Sequence, residues 1–294
     1  MSIQDAVKKM RGPENTRVTL TILRKDMKEP RDYEITRAVI KIKSVKHSVY
    51  EDSIGYIRIS AFQESTADEL KKAMQQITGK FKDLKGIVVD VRNNPGGLLD
   101  QAVKASDAFL KTGTIVSTKG RAKAIESKFV ARDDGNEPTC PMVVLVNEGT
   151  ASASEILSGA LQDNGRAIVL GMPTFGKGSV QTVIPLEDGS ALKLTTAKYY
   201  TPKGRSIQAE GIKPDIVVEP IRQAEGPETA ETHMLRERDL KGHIRGDREG
   251  EPKPADAREK DAGKEKTDLQ KDNQLKSAID ILKSWEVFKR IGKN

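Results

Sequence analysis

Three short apolar runs in the middle of the chain restrict the fold more than any other feature. They are residues 86–91, 141–146 and 166–171, and none of them alternates between polar and apolar residues. Strands of this kind are buried on both faces of a sheet. Helical patterns lie between them, at residues 98–110 and 152–162. Buried strands that alternate with helices predict an α/β core whose sheet is covered on both faces.

The first 44 residues have a different pattern. Residues 2–11 predict a short helix, and residues 18–23 and 33–39 predict two strands with polar and apolar residues in alternation. A helix and two strands of this size are too small for an independent hydrophobic core. We therefore interpret residues 1–44 as the later part of a domain and residues 45–221 as the main domain.

The C-terminal part of the chain divides into a charged segment and a helix. Residues 222–272 contain no Phe, Trp, Tyr or Val, and this composition predicts disorder because it cannot offset the entropy of an ordered chain. Residues 273–294 predict an amphipathic helix with Asn273 as its cap. The apolar positions of this helix are Leu275, Ile279, Leu282, Trp285 and Phe288. We expect the helix to pack on the core, and the alternative is a helix reserved for a partner.

The composition favours a soluble globular protein and gives little support to nucleic-acid binding. Charged residues make up 32% of the chain, and 50 basic residues against 43 acidic ones leave a net charge of +7. Such a mixed surface, with only 4% aromatic residues for base stacking, is unlike a nucleic-acid-binding face. Cys140 is the single cysteine, which excludes an internal disulfide and a cysteine-based metal site.

Targeting signals are missing from the sequence as it stands. No run approaches the ~20 apolar residues of a membrane span, so no transmembrane segment is expected. The first residues also lack the apolar region of a secretory signal. We expect either a cytoplasmic location or a natural beginning upstream of Met1.

The run at residues 171–179 resembles a phosphate-binding P-loop, but it departs from that pattern twice. Gly178 occupies the position of the magnesium-binding Ser or Thr. A P-loop also continues into a helix, whereas residues 179–196 predict a β-hairpin. Lys177 is therefore better explained by other chemistry than by phosphate binding.

A candidate nucleophile lies upstream, where residues 147–156 join a buried strand to a helix through small side chains. The small neighbours leave room for a substrate carbonyl beside Ser152. A serine at a helix N-terminus also lies close to backbone N–H groups that can stabilise an oxyanion. The structural alternative is that Ser152 or Ser154 only caps the helix, and the local sequence alone favours that alternative.

A nucleophilic serine needs a base, and the three histidines are badly placed. His47 lies in a linker, and His233 and His243 lie in the predicted disordered segment. Ser–Lys pairs are known variants of the catalytic triad. A lysine can accept a proton only when it is neutral, and burial disfavours its charged form. Lys177, which follows Phe175 and an apolar strand, is therefore the candidate general base.

Five motifs, in this order, resemble those of the carboxyl-terminal processing (tail-specific) serine proteases. They are found at residues 90–97, 147–156, 173–181, 199–208 and 211–215. The resemblance covers about residues 2–220. It implies a ClpP/crotonase-like protease core preceded by a truncated PDZ domain (residues 1–44), and the mostly disordered C-terminal extension inferred from composition follows this core.

The resemblance also implies catalytic roles for particular residues. Ser152 is the nucleophile, Lys177 is the general base, and Gln181 orients the lysine. On a strand, positions four apart share a face, and an amide oxygen can hold an amine without adding charge. Asp163 is a rival orienter, but a carboxylate would keep the lysine protonated, so we expect a structural role for it.

The oxyanion hole implied by the resemblance is formed by backbone N–H groups. One belongs to Ala153, which follows the nucleophile, and the other belongs to Gly96 or Gly97. This apparatus requires no metal, nucleotide or other cofactor. The sequence does not define a homo-oligomer or an adaptor.

By resemblance, the chain is a serine endopeptidase that cleaves protein or peptide substrates with apolar C-terminal tails, in the bacterial periplasm or cell envelope. Two alternatives remain open at this point. One is a catalytically silent peptide-binding scaffold of the same fold. The other is an acyl-CoA enzyme, because the crotonase-like fold also hosts that chemistry.

Overall fold

The computed structural model describes residues 2–25, 27–40, 42–51, 53–81, 84–120, 126–221, 236–240, 242–244, 246–247 and 272–291. The chain divides into two compact units, Met1–Lys43 and Ser44–Asn294. Within the described residues, no helix combines the length and apolar character needed to cross a membrane.

The first unit contains helix α1 (Ile3–Met10) and the antiparallel strands β1 (Arg17–Ile22) and β2 (Arg31–Thr36). Helix α1 begins at Ser2, whose hydroxyl accepts a hydrogen bond from the N–H of Asp5 at 3.1 Å, while the Asp5 carboxylate accepts from the N–H of Ser2 at 3.2 Å. The predicted helix and strands are confirmed. Their identification as part of a PDZ domain stays a prediction.

The second unit contains, in chain order, β3 (Val45–Tyr50), β4 (Ile54–Ile59), α2 (Thr66–Lys80), β5 (Gly86–Asp90), α3 (Leu99–Asp107), β6 (Thr114–Gly120), β7 (Ser127–Val130), β8 (Met142–Val146), α4 (Ala153–Asp163), β9 (Ile168–Gly171), β10 (Ser179–Pro185), β11 (Ala191–Tyr200), β12 (Ile216–Val217) and α5 (Asn273–Ile291). A 3-10 turn lies at Glu237–Asp239. The strands form two sheets. The larger sheet has the order β12-β9-β8-β5-β4-β3, and the smaller sheet has the order β10-β11-β6-β7.

The larger sheet is parallel except for the antiparallel pair β3–β4. Its central strands β5, β8 and β9 are the three apolar runs identified in the sequence. Successive side chains of a strand point to opposite faces. Accordingly, Ile87 and Val89 pack in the core that α2, α3 and α4 share, while Val88 packs in the core that includes residues of α5. The predicted α/β core, with both sheet faces covered, is confirmed.

Helix α5 packs on the larger sheet through Leu275, Ile279 and Leu282, all of which are buried, and these contacts confirm the expected docking. The side chains of Trp285 and Phe288 are 46% and 68% exposed. The predicted cap of this helix is wrong. The carboxylate of Asp272, and not the amide of Asn273, accepts the hydrogen bond from the N–H of Leu275 at 3.0 Å.

The smaller sheet is antiparallel throughout. Strands β10 and β11 form the predicted hairpin, which follows Lys177 directly. The absence of a helix immediately after Lys177 agrees with the exclusion of a P-loop. Strands β6 and β7 do not appear among the predicted elements.

Part of the segment predicted to be disordered is ordered against the core. We call residues 236–240, 242–244 and 246–247 the docked segment. Its Glu237 N–H donates to the carbonyl of Phe175 at 3.1 Å, and its Asp247 carboxylate pairs with Lys198 Nζ at 2.9 Å. The prediction of disorder is therefore wrong for these residues, and the rest of 222–271 lies outside the described residues.

Candidate active site

Three loops meet at the carboxyl ends of the central parallel strands. The 91–97 loop follows β5, the 147–152 loop follows β8, and the 172–178 loop follows β9. Because these strands are neighbours in the order β9-β8-β5, their loops lie side by side. In open α/β sheets this edge is where ligands bind.

Ser152 lies at a sharp turn between β8 and α4. Its backbone angles are φ 55° and ψ −114°, and a positive φ is uncommon for a residue other than glycine. Strain of this kind persists where the surrounding contacts enforce it. The side chain is partly exposed, as a nucleophile on a strand-to-helix turn must be. Among the described residues, no hydrogen bond uses the N–H of Ala153, the first residue of α4.

Ser154 has a different environment from Ser152. Its side chain is fully buried inside α4, and its hydroxyl donates to the carbonyl of Asn94 at 3.0 Å. Ser154 therefore does not cap the helix, which removes it from the structural alternative raised by the sequence. It joins α4 to the 91–97 loop instead.

Paired asparagines hold the 91–97 loop against the 147–152 loop. Asn93 N–H donates to Asn147 Oδ1, and Asn147 Nδ2 donates to Asn93 Oδ1, both at 2.8 Å. The carbonyl of Asn94 also accepts from the N–H of Ala151 at 2.9 Å. These bonds fix the turn that carries Ser152 relative to the glycines at the end of the 91–97 loop.

Gly96 lies beside Ser152, where no side chain has room. A Cβ atom at this position would lie 2.8 Å from Ser152 Cβ, and the φ of Gly96 is +101°, so only glycine fits. The two glycines differ in their N–H groups. Gly96 N–H donates to Asn94 Oδ1 at 2.9 Å, whereas the hydrogen bonds of the described residues leave Gly97 N–H unused.

Glu155 connects the turn at Ser152 to the 172–178 loop, which carries Lys177 and is called the lysine loop below. Its carboxylate is fully buried and accepts four hydrogen bonds. The donors are Ser152 N–H at 2.7 Å, Lys177 N–H at 2.9 Å, Gly176 N–H at 2.7 Å and the Thr174 hydroxyl at 2.6 Å. Burial raises the pKa of Glu155 to about 7, against these hydrogen bonds, which favour the carboxylate. Glu155 lies in the motif at residues 147–156, but the sequence did not indicate a role for it. Its position three residues after the serine, where a helix begins, was the available signal.

Lys177 is partly buried. The lysine loop is bonded to the 147–152 loop, because the N–H of Phe175 donates to the carbonyl of Thr150 at 3.0 Å. Gln181 lies exposed on β10, directly after an irregularity in the pairing of β10 with β11. Within the described part of the chain, no hydrogen bond joins the Lys177 side chain to Ser152 or to Gln181. The structure brings Ser152 and Lys177 together through Glu155, and the role of Gln181 stays a prediction.

The remaining candidates lie outside the three loops. Asp163 ends α4, where it pairs with Arg205 and accepts a hydrogen bond from the N–H of Lys203 at 3.0 Å, in agreement with the expected structural role. His47 lies on strand β3, not in a linker. His243 lies in the docked segment, and His233 falls outside the described residues.

A buried charge cluster supports the base of the 91–97 loop. The Asp90 carboxylate pairs with Arg92 at 2.7 Å and with Arg58 at 3.0 Å. Burial acts to raise the pKa of Asp90, but the two guanidinium groups outweigh it and hold this pKa below its usual range. Arg92 also binds both oxygens of Asp272, at 2.9 and 2.7 Å. The start of α5 is thereby fixed to the loop that carries Gly96 and Gly97.

Proteins with similar sequences are C-terminal processing proteases by name. The carboxy-terminal-processing protease of Bartonella bacilliformis is 49% identical over 255 residues, which cover 85% of this chain and 57% of that protein. The carboxyl-terminal-processing protease of Synechocystis is 43% identical over 223 residues, which cover 74% of this chain and 51% of that protein. The chain therefore spans about half the length of these relatives.

The comparison with solved structures gives the same result. The photosystem II D1 C-terminal processing protease matches with a TM-score of 0.56 at 31% identity, over 74% of this chain and 60% of that chain. The sequence profile of peptidase family S41 matches residues 53–218, which is more than half of the chain and contains all three loops. The turn at Ser152 and the lysine loop beside it thus lie within the matched region, and the chain belongs to peptidase family S41.

Proposed function

We propose that the chain carries the catalytic centre of a serine endopeptidase that cleaves proteins near their C-termini. Ser152 is the nucleophile and Lys177 is the general base. The observation that carries the proposal is the strained turn at Ser152, which Glu155 joins to the lysine loop through the N–H groups of Ser152 and Lys177. The names of the relatives supply the reaction class, because both are C-terminal processing proteases.

The proposed reaction uses two proton transfers in each half. Ser152 Oγ attacks the carbonyl carbon of the scissile peptide bond, and its proton passes to neutral Lys177 Nζ. The resulting ammonium then donates that proton to the leaving amine, which departs and leaves an acyl ester on Ser152. Water enters, Lys177 accepts a proton from it, and hydrolysis of the ester returns the proton to Ser152.

The oxyanion of the tetrahedral intermediate needs two preorganised donors. The N–H of Ala153 is one, since it lies at the start of α4 and has no partner among the described residues. Gly97 is favoured over Gly96 as the source of the second donor, because Gly96 N–H already donates to Asn94 Oδ1. Gly96 instead provides the close contact that brings the 91–97 loop against Ser152.

Gln181 is proposed to orient Lys177 once a substrate is bound. Catalytic hydrogen bonds are often long or incomplete without substrate and tighten in the complex. The amide of Gln181 is exposed, so it is free to rotate toward the lysine at small cost.

The finer features inferred from the resemblance belong to the same proposal. They are a ClpP/crotonase-like core, a partial PDZ domain at residues 1–44, substrates with apolar C-terminal tails, and action in the periplasm or cell envelope. The family does not favour the two alternatives, a silent peptide-binding scaffold and an acyl-CoA enzyme. No observation on the described residues supports either one.

The proposal is tested by comparing two neighbouring serine variants in cleavage of an unstructured protein. Ser152→Ala should abolish cleavage and leave folding almost unchanged, because its side chain carries little packing. Ser154→Ala should lose about 1 kcal/mol of stability with its buried hydrogen bond and retain activity. Full activity in Ser152→Ala, or equal loss in both variants, would contradict the assignment of the nucleophile.

A further inference from the structure

The lysine loop is held by a second set of contacts that is independent of Glu155. The two glycines beside Lys177 both bond to residues 207–209. Gly176 accepts a hydrogen bond at its carbonyl from Ala209 N–H at 2.7 Å, and Gly178 N–H donates to Gln208 Oε1 at 3.0 Å. The fit is close, because a Cβ at Gly178 would lie 2.3 Å from the backbone nitrogen of Gln208. The backbone on both sides of Lys177 therefore depends on this short stretch.

The side-chain amide of Gln208 is fully buried and bonded at both ends. Its oxygen accepts from Gly178 N–H, as described above. Its nitrogen donates to Glu237 Oε1 at 3.2 Å and to the carbonyl of Ile244 at 2.8 Å. If the amide rotated by half a turn, its NH2 group would face the Gly178 N–H, and donor would oppose donor. The two acceptors in the docked segment therefore fix which end of the amide faces the lysine loop.

The docked segment reaches the lysine loop at other points as well. Glu237 N–H donates to the carbonyl of Phe175, two residues before Lys177. Gly246 lies against the backbone of Gln208, where a Cβ would be 2.5 Å from the carbonyl oxygen. Asp247 pairs with Lys198 on β11. Burial, and in second place the Asp247 carboxylate, raise the pKa of Tyr200 to about 12. These contacts place the segment where it can influence the loop.

We propose that Gln208 is a positioning residue for Lys177, and that it holds the lysine loop only while the docked segment supplies the acceptors for its amide nitrogen. The inference rests on the proposed role of Lys177 as the base. Without these acceptors the amide rotates, its bond to Gly178 is lost, and Lys177 Nζ shifts relative to Ser152 Oγ. A displacement of about 1 Å in an active site can cost about 100-fold in rate.

The test uses Gln208→Glu in the full chain and steady-state cleavage of an unstructured protein. The introduced carboxylate has no donor for the Glu237 carboxylate and the Ile244 carbonyl, so repulsion from these two groups should move the side chain away from Gly178 N–H. We expect kcat to fall by about 10- to 100-fold with KM unchanged. Adding Glu237→Gln restores a donor between the two side chains, so the double variant should recover a large part of kcat.

Gln101→Glu is the matched control. Gln101 is also buried, its oxygen accepts from the N–H of Ala67 at 3.0 Å, and its nitrogen donates to the Asp100 carboxylate at 3.0 Å. The control places like charges together in the same way, so it should lower stability and leave kcat unchanged. Glu237→Ala, at a partly exposed position, provides a second measurement should Gln208→Glu fail to fold, and it too should lower kcat at constant KM.

The inference is overturned by an unchanged kcat in Gln208→Glu or, where that variant does not fold, in Glu237→Ala. It is overturned equally by a fall that Gln101→Glu reproduces, or by a double variant that recovers nothing. Cleavage by the unaltered protein distinguishes a failure of this inference from a failure of the proposed function. Absence of Ser152-dependent cleavage in the unaltered protein would contradict the proposed function, and with it the inference.

Discussion

Replacement of Glu155 by glutamine should change how the free energy of unfolding depends on pH. Burial raises the pKa of Glu155 in the folded protein to about 7, against 4.5 for an ordinary glutamate. The folded protein therefore keeps a proton that the unfolded chain has already released. The stability that comes from this proton is fully present below pH 4.5 and is lost as the pH rises through about 7.

The magnitude follows from the difference between the two pKa values. At 1.36 kcal/mol for each pH unit, it amounts to about 3 kcal/mol. Glutamine at this position does not titrate. The free energy of unfolding of the unaltered protein, relative to that of Glu155→Gln, should fall by about 3 kcal/mol between about pH 4 and about pH 8.

The assay is urea unfolding, followed by far-ultraviolet circular dichroism, of both proteins at several pH values. Glu64→Gln, a change at an exposed carboxylate, serves as the control for exchanging a carboxylate for an amide. A relative stability that is flat or rises with pH would refute the reasoning. A rise would mean that the four hydrogen bonds outweigh burial and lower the pKa of Glu155.

Three further changes test other parts of the site. Asp272→Ala should lower the free energy of unfolding by about 2 to 4 kcal/mol, measured by urea unfolding, because it removes the cap of α5 and a partner of buried Arg92. Gly96→Ala should abolish cleavage because its methyl group collides with the nucleophile, whereas Gly135→Ala, which has a positive φ but no neighbour within 4 Å, should retain it. Gln181→Ala should lower kcat more than it changes KM in steady-state cleavage.

The centre of the fold could be predicted from the sequence because its signals are local. Strands buried on both faces read as uninterrupted apolar runs, so β5, β8 and β9 were evident. Since these strands are neighbours in a parallel sheet, the loops that follow them also meet. This explains why Ser152 and Lys177, 25 positions apart in the sequence, occupy adjacent loops.

The missed strands have weak local signals. In β7 no residue is fully buried, and the pairing of β6 with β7 is irregular near Thr114. Strand β3 forms the edge of the larger sheet and is exposed over half its length. Their pairing depends on partners that are distant along the chain, and periodicity within one strand does not reveal such partners.

The supporting residues of the site are polar, and the sequence does not show that they are buried. Glu155 and Gln208 are completely enclosed. Apart from Ser152, which lies close to Glu155 in the sequence, their partners lie about 20 to 36 residues away. The order of the docked segment was not predicted for a related reason. It is held by hydrogen bonds and an ion pair to the core, whereas disorder was predicted from a composition without Phe, Trp, Tyr or Val.

The most direct test of the central claim is to identify the residue that reacts with a serine-directed fluorophosphonate. Labelling of the unaltered protein and of Lys177→Arg is followed by intact mass, and the modified peptide is located by fragmentation. We expect a single adduct on Ser152, formed rapidly in the unaltered protein and almost not at all in Lys177→Arg, because a guanidinium group cannot act as a base. An adduct on another serine, or equal labelling rates in the two proteins, would contradict the account.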